Sequence, residues 1–288
     1  MTRYAERRSV LLGLIGQDIQ NSRTPEMQMR EGAAQGLRLV YRLMDLTRLG
    51  LGVEALPELL RGAERAGFDG LNITHPCKQA VIPHLDELSD DARSLGAVNT
   101  VVFRDGKRIG HNTDWSGFFE PFRREMSDVP VRRVVQIGAG GAGAAVAHAA
   151  LMLGVEELTI VDIDPARAAS VAANLTAHFG AGRARAGTEL AASVAAADGL
   201  INATPIGMDA HPGLPLPAEF LRPDLWVAEV IYFPLETELL RRARALGART
   251  IGGGGMAVFQ AVAAFRLFTG IEPDSDRMIA AFASMGSA

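Results

Sequence analysis

The sequence predicts an α/β protein of two domains, on three observations. Strand-like and helix-like segments alternate along most of the 288 residues. The alternation stops at the polar stretch "SDVP" (127–130) and then begins again. The second series opens with an apolar strand that runs straight into a glycine turn and an alanine-rich helix, "VVQIGAGGAGAAVAHAALMLG". The expected boundaries are residues 1–117 together with 257–288 for the first domain, and 118–256 for the second.

In chain order, "SVLLGLIG", "LVYRLMDL" and "GLNIT" have the apolar runs of buried strands, and "PEMQMREGAAQG" and "VEALPELLRGAERAG" between them have helical spacing. A largely parallel sheet is expected. "AVNTVVFRDGKRIGHNTD" predicts a β-hairpin turning at Asp105-Gly106, followed by a helix from "DWSGFFEPFRREM". The second series continues with the strands "RRVVQIG", "ELTIVDID", "GLINATP" and "LWVAEVIYF". The last helix, "AVFQAVAAFRLFTG", is apolar enough to fold back on the first domain.

Composition excludes several classes of function. Hydrophobic residues make up 48% of the chain, enough for a substantial core, and the formal charge of −4 attracts neither nucleic acid nor an anionic membrane. Cys77 is the only cysteine, so an intramolecular disulfide and a thiolate zinc cluster are both ruled out. The six histidines lack ligand spacing, and no metal site is expected. The apolar run after the basic N-terminal residues is too short for a signal peptide, and no segment approaches the roughly 20 apolar residues of a membrane span. A soluble, cytoplasmic protein with a small-molecule partner, monomeric or homodimeric, is expected.

The glycine turn fits G-x-G-x-x-G at Gly138, Gly140 and Gly143. Glycines there permit the tight turn, let backbone approach a pyrophosphate, and let helix and strand pack closely. The next strand ends in "IVDID", which places Asp162 where a carboxylate accepts both ribose hydroxyls of an adenosine. The bland alternative is a glycine turn followed by an N-cap Asp. The second domain is therefore expected to be a Rossmann-type doubly wound domain binding NAD, with NADP disfavoured because Asp162 repels a 2′-phosphate. Arg167 points the other way, since a guanidinium binds phosphate, though it also stacks on adenine. In "LINATPIGM", Asn202, Thr204 and Pro205 lie at the carboxyl edge of the sheet, either beside a nicotinamide or in an ordinary turn.

The first domain then becomes a candidate substrate domain. Lys78 follows a strand end in "GLNITHPCKQ", Asp114 sits in "GHNTDWSG", and Thr24 in "NSRTPEM". Taken singly, these are a solvated lysine and two helix caps. Their joint occurrence says more.

Together with "GLIGQDIQNSRTP", "LGAVNT", "IGAGGAG", "NATPIGM", "EVIYFPLETELL" and "GMAVFQAVAAFRLFTG", these segments resemble the shikimate dehydrogenase family, including its quinate/shikimate branch, over almost the whole chain. The resemblance implies a substrate site and an NAD site in a cleft between two domains, with Lys78 and Asp114 as the catalytic pair. It implies Ser22 and Thr24 on a substrate carboxylate, Asn72, Thr74, Asn99 and Gln260 on ring hydroxyls, and Tyr232 as a further contact. It extends the nucleotide contacts to Ala139, Gly141, Ala142, Ala203, Met208, Val230, Gly253 and Met256. The implied reaction is reversible oxidation of the 3-hydroxyl of quinate, shikimate or both. Alternatives are an NADP-dependent biosynthetic shikimate dehydrogenase and a non-catalytic sensor of NAD and a metabolite.

The chain departs from the commoner family pattern in three places. It has Ser22-Arg23-Thr24 in place of Ser-x-Ser, Asp162 in place of an Asn-Arg-Thr segment, and Gly252-Gly253 in place of Asp-Gly within "IGGGGM". The first two favour the NAD-using quinate/shikimate branch. The glycine run is expected to be either a hinge or a permissive turn.

Overall fold

The computed structural model describes residues 8–285. Two units emerge: residues up to Thr113 together with those from Gln260 onward, and Asp114–Phe259.

Unit one is built on a six-stranded sheet of order β2-β1-β3-β5-β6-β4. Its strands are β1 (Ser9–Gly16), β2 (Arg38–Asp45), β3 (Gly70–Ile73), β4 (Glu87–Leu88), β5 (Thr100–Arg104) and β6 (Lys107–His111). β1 lies parallel between β2 and β3, which explains its unbroken apolar run. The sheet is mixed rather than largely parallel, because β5 runs antiparallel to both β3 and β6. The cause is the hairpin turn, where Asp105 and Gly106 take φ of 53° and 73°, as a two-residue turn with matching twist requires.

Alternation along β1 divides its side chains between two layers. Ile15 joins Leu71, Ile73 and Val101 under α3 (Leu56–Arg65), whose Leu56, Leu60 and Ala63 point inward. Leu12 and Leu14 join Tyr41 and Val102 against Phe265 and Phe268 of α11 (Gly254–Thr269). The short helices α2 (Leu46–Leu49), α4 (Cys77–Ala80) and α5 (Asp90–Leu95) complete the connections, and α1 (Thr24–Ala34) follows β1.

Unit two begins with α6 (Asp114–Glu125) and contains an all-parallel sheet of order β12-β11-β10-β7-β8-β9. Its strands are β7 (Arg133–Ile137), β8 (Glu157–Val161), β9 (Ala184–Ala186), β10 (Gly199–Asn202), β11 (Trp226–Glu229) and β12 (Thr250–Ile251). Renumbered within the unit, that order is 3-2-1-4-5-6, the doubly wound arrangement. α7 (Gly141–Met152) and α8 (Pro165–Phe179) cover one face, and α9 (Leu190–Ala195) and α10 (Glu238–Ala245) the other.

Two expectations at the C-terminal end need correcting. "AVFQAVAAFRLFTG" is not the last helix. α12 (Ser275–Ser284) follows, capped by Asp274 and held to α1 by an Arg277–Glu31 ion pair of 2.6 Å. The glycine run is not an open turn. Gly254 and Gly255 already belong to α11, and none of Gly252 to Gly255 has positive φ. A Cβ on Gly253 would lie 2.5 Å from the carbonyl oxygen of Ile231, and one on Gly255 would lie 2.8 Å from Pro121. Those two glycines allow close packing.

Among the described residues, no helix is long and apolar enough to cross a membrane, and no cluster of metal-ligating side chains forms.

Candidate functional site

In unit two, strand order reverses between β7 and β10, and ligands bind doubly wound sheets at the carboxyl ends of the strands beside such a reversal. The glycine turn lies there. Gly138 takes φ of 100°, and a Cβ on it would sit 2.5 Å from the carbonyl oxygen of Ala203. A Cβ on Gly143 would sit 2.5 Å from the carbonyl oxygen of Gly138. These two glycines pack turn against strand and helix. Gly140 and Gly141 differ, since a Cβ on either meets nothing within 4 Å. Their backbone faces open space at the start of α7, which has no side-chain cap. Such a cradle suits a pyrophosphate, and the Ala139 N–H is turned away from it to the Asp162 carboxylate.

Gln136, which the motif does not include, staples the turn. Its buried Nε2 donates to the carbonyl oxygens of Gly138 and Gly143, both at 2.8 Å.

Asp162 directly follows β8 beside this turn and is nearly buried, with 7% side-chain exposure. Oδ2 accepts from the backbone N–H of Ala139 at 2.7 Å and Oδ1 from that of Asp164 at 2.9 Å. A carboxylate oxygen has two lone pairs, so each retains one for a ribose hydroxyl. The Arg167 guanidinium lies 3.8 Å from Asp162 and 3.7 Å from Asp164. Ile163 between the two acids is fully exposed. The corner thus carries two carboxylates against one guanidinium.

The polar side chains of "NATPIGM" are engaged in a turn, one of the two expected readings. The Asn202 side chain is completely buried: Nδ2 donates to the Glu229 carboxylate and to the Ile206 carbonyl, and Oδ1 accepts from the N–H and hydroxyl of Thr204. The Thr204 hydroxyl in turn accepts from Ile206 N–H. These side chains build the turn, so what they leave for a ligand is backbone at Ala203 and Thr204, with Pro205 and Met208 exposed beyond. Beneath them Glu229, absent from the sequence reading, is buried and also accepts from Val230 N–H, Ile231 N–H and the Thr237 hydroxyl. Burial raises its pKa. Val230 N–H donates to the Asn202 carbonyl, Gly253 packs against Ile231, and Met256 is half-buried against the same core. The edge is therefore continuous from Asp162 to Gly253.

In unit one, the carboxyl ends of β1, β3 and β6 lie at the same edge as the amino end of antiparallel β5. The loop after β1 is held by Asp45, whose carboxylate accepts from Gln20 Nε2 at 2.7 Å and from the N–H groups of Asp18, Ile19 and Thr47. The Gln20 hydrogen bond foremost holds its pKa low. Ser22 and Thr24 follow, both half-buried. Arg23, not Thr24, is the N-cap of α1. Thr24 is the first helical residue and makes no capping bond, so its role as a cap is withdrawn.

Beside that loop, Thr74 N–H donates to Ile15 and Gln17 N–H to His75. Lys78 lies in α4, half-buried, its carbonyl accepting from Val98 N–H at 2.8 Å, one residue before Asn99. Thr113 N–H donates to Asn99 Oδ1 at 2.8 Å, and Asp114 comes next in the chain, buried at the start of α6. Gln260 precedes Ala261, whose carbonyl accepts from Gln28, one turn along α1 from Thr24. The segments that carry Ser22, Thr24, Thr74, Lys78 and Asn99 thus meet at one edge of the sheet, and the Gln28–Ala261 bond joins α1 to the helix that carries Gln260.

Asn72 is turned inward. It is buried, and both amide hydrogens are used internally, on the Asn99 carbonyl and the Thr100 hydroxyl, while Oδ1 accepts from Tyr41. Tyr232 belongs to unit two, where it is exposed beside Phe233. The lone thiol of Cys77 is buried, and burial pushes its pKa up to about 11, which makes it a packing residue.

Comparison with known proteins gives a consistent result. Residues 14–101 match the shikimate dehydrogenase substrate binding domain, and 253–281 the shikimate 5'-dehydrogenase C-terminal domain. The chain is 61% identical to a shikimate dehydrogenase (NADP(+)) of Streptomyces avermitilis over 96% of each chain. It is 53% identical to a quinate/shikimate dehydrogenase (NAD(+)) of Corynebacterium efficiens, covering 96% of this chain and 99% of that one. The solved structure of quinate dehydrogenase from Corynebacterium glutamicum in complex with NAD superimposes with a TM-score of 0.93 at 48% identity, covering 96% of this chain and all of that one.

Proposed function

Starting from the shikimate dehydrogenase family, to which this chain belongs, we propose that the protein reversibly oxidises the 3-hydroxyl of quinate or shikimate and uses NAD. The pyridine nucleotide, when bound, supplies the hydride acceptor. The chain's own residues do the rest. Ser22 and Thr24 donate to the substrate carboxylate, and Thr74, Asn99 and Gln260 hold ring hydroxyls. Lys78, as the neutral amine, takes the hydroxyl proton in oxidation and, as the ammonium, returns it in ketone reduction, and Asp114 is the second residue of the proposed catalytic pair.

The single observation that carries the choice of NAD is the corner at the end of β8. The Arg167 guanidinium lies between Asp162 and Asp164, 3.8 and 3.7 Å from them, so two carboxylates share it. A 2′-phosphate placed there meets a net negative charge, whereas ribose hydroxyls find acceptors. The relatives include both cofactor types, and NADP use is the second reading, with Arg167 released to bind phosphate. Asp162→Ala tests this: NAD should weaken and its advantage over NADP narrow. A wild-type enzyme preferring NADP contradicts the assignment.

A further inference from the structure

A buried chain of hydrogen bonds crosses unit one beneath the residues proposed to hold the substrate. It begins at Tyr41 on the edge strand β2, whose phenol donates to Asn72 Oδ1 on β3 at 2.7 Å. Asn72 Nδ2 donates to the Thr100 hydroxyl on β5 at 3.1 Å and to the Asn99 carbonyl at 3.3 Å. The Thr100 hydroxyl donates to Asn99 Oδ1 at 3.0 Å, and Asn99 Nδ2 donates to the Thr113 hydroxyl at 2.9 Å. All five residues are at most 8% exposed, so water does not substitute for a lost partner.

The chain has a direction, and two groups that function in only one sense set it. A backbone carbonyl only accepts, so the Asn99 carbonyl requires Asn72 to turn Nδ2 toward it. That leaves Asn72 Oδ1 facing Tyr41, whose phenol must donate. A backbone N–H only donates, so Thr113 N–H, 2.8 Å from Asn99 Oδ1, requires that oxygen on its side. Thr100 reinforces the same orientation by donating to Oδ1. Asn99 is thus locked with its NH₂ as the donor.

We infer that Tyr41 is a positioning residue for the substrate site: through Asn72 and Thr100 it reinforces the orientation of the Asn99 amide that Thr113 N–H selects, and so the hydroxyl geometry that Asn99 recognises. The substrate half of this inference rests on the function proposed above. Without the phenol, Asn72 Oδ1 is a buried acceptor with no donor. Turning the amide over to reach one sets Oδ1 against the Asn99 carbonyl. Either arrangement weakens the Thr100–Asn99 link, and an unsatisfied buried acceptor is costly enough to force the change. Tyr41 touches no proposed ligand, so its effect travels only through this chain.

The experiment has a substrate-free readout and a kinetic one, each on Tyr41→Phe. Hydrogen exchange at Thr113 N–H reports whether Asn99 still holds its place. Selective acceleration at Thr113, with the β1 and β5 strand amides unchanged, is expected. KM for quinate and shikimate should rise roughly 5- to 20-fold, about what one misdirected hydrogen bond is worth, with KM for NAD unchanged. Thr100→Val should give a similar loss, Thr100→Ser should restore the wild-type values, and Tyr41→Phe/Thr100→Val should be no worse than the poorer single variant.

Uniform acceleration of all amides, additive effects in the double variant, or unchanged polyol KM with normal exchange at Thr113 would overturn the positioning role. Selective exchange at Thr113 in a protein that turns over neither polyol would uphold the relay and reject the function it was joined to.

Discussion

The two units build their sites from different materials. At the nucleotide edge of unit two the binding surface is mostly backbone: the glycine turn, the uncapped start of α7 and the peptide groups at Ala203 and Thr204, with Gln136, Asn202 and Glu229 as props behind it. At the edge of unit one the groups proposed to bind are side chains, Ser22, Thr24, Thr74, Lys78 and Asn99, of which Asn99 is held by other side chains of a mixed sheet. A backbone site requires particular residue types at consecutive positions. A side-chain site requires particular partners far apart in sequence. The first should fail through backbone strain, and the second through loss of individual donors.

The largest expected effect breaks the substrate side alone. Lys78→Ala should lower kcat by roughly 10² to 10⁴, the usual range for a positioned acid or base, with NAD affinity little changed in fluorescence titration; near-normal kcat would remove Lys78 from the mechanism. Gly138→Ala should do the reverse. An alanine there is strained at φ of 100° and collides with the Ala203 carbonyl. We expect NAD binding to weaken about 10- to 100-fold for some 1–3 kcal/mol of strain, read as a lost thermal shift on adding NAD. Undiminished binding would show that the turn is not the cradle.

That asymmetry also accounts for what the sequence disclosed. The glycine turn and Asp162 were legible because φ, close approach and strand-end position dictate residue type within one short segment. Asn72 and Asn202 are ambiguous in sequence because a buried asparagine that braces its surroundings has the same local context as one that meets a ligand. Tyr41, Thr100 and Glu229 left no local sign. Strand register brings residues 41, 72 and 100 together, and a hydrogen bond to Asn99 adds Thr113; neither is visible within any one segment. The glycines of 252–255 suggested freedom, whereas the carbonyl of Ile231 and the ring of Pro121 show that two of them are there for contact.

Acid should separate the units further. In unit two, His148 on α7 is buried among Trp115, His178 and Phe179, and burial foremost, then His178, lowers its pKa to about 4. The unfolded chain takes up a proton near pH 6.5 that the folded chain refuses until about pH 4, so His148 costs stability progressively as pH falls through that window. Glu229, raised by burial, acts in the opposite sense. In unit one the lowered Asp45 contributes stability above pH 3.8 that is lost only as pH falls below it. Denaturant midpoints between pH 6.5 and 4.5 should therefore drop for the wild type by the equivalent of about 1–3 kcal/mol and drop less for His148→Gln. Parallel curves would mean that His148 is not the sensitive group.

The smallest effect concerns Thr24. Its methyl restricts χ1 and so the direction of its hydroxyl. Thr24→Ser should cost quinate more than shikimate in kcat/KM, by about 0.5–1.5 kcal/mol. Because Arg23 occupies the cap position, melting temperature should not move. Equal losses on both substrates would remove Thr24 as the basis for quinate use.

Initial rates of the wild-type enzyme with quinate and with shikimate, each against NAD and NADP, test the central claim most directly. The charge arrangement of Asp162, Asp164 and Arg167 and the hydroxyls of Ser22 and Thr24 predict turnover of both polyols with a higher kcat/KM for NAD. Turnover of shikimate alone, with NADP preferred, would contradict it.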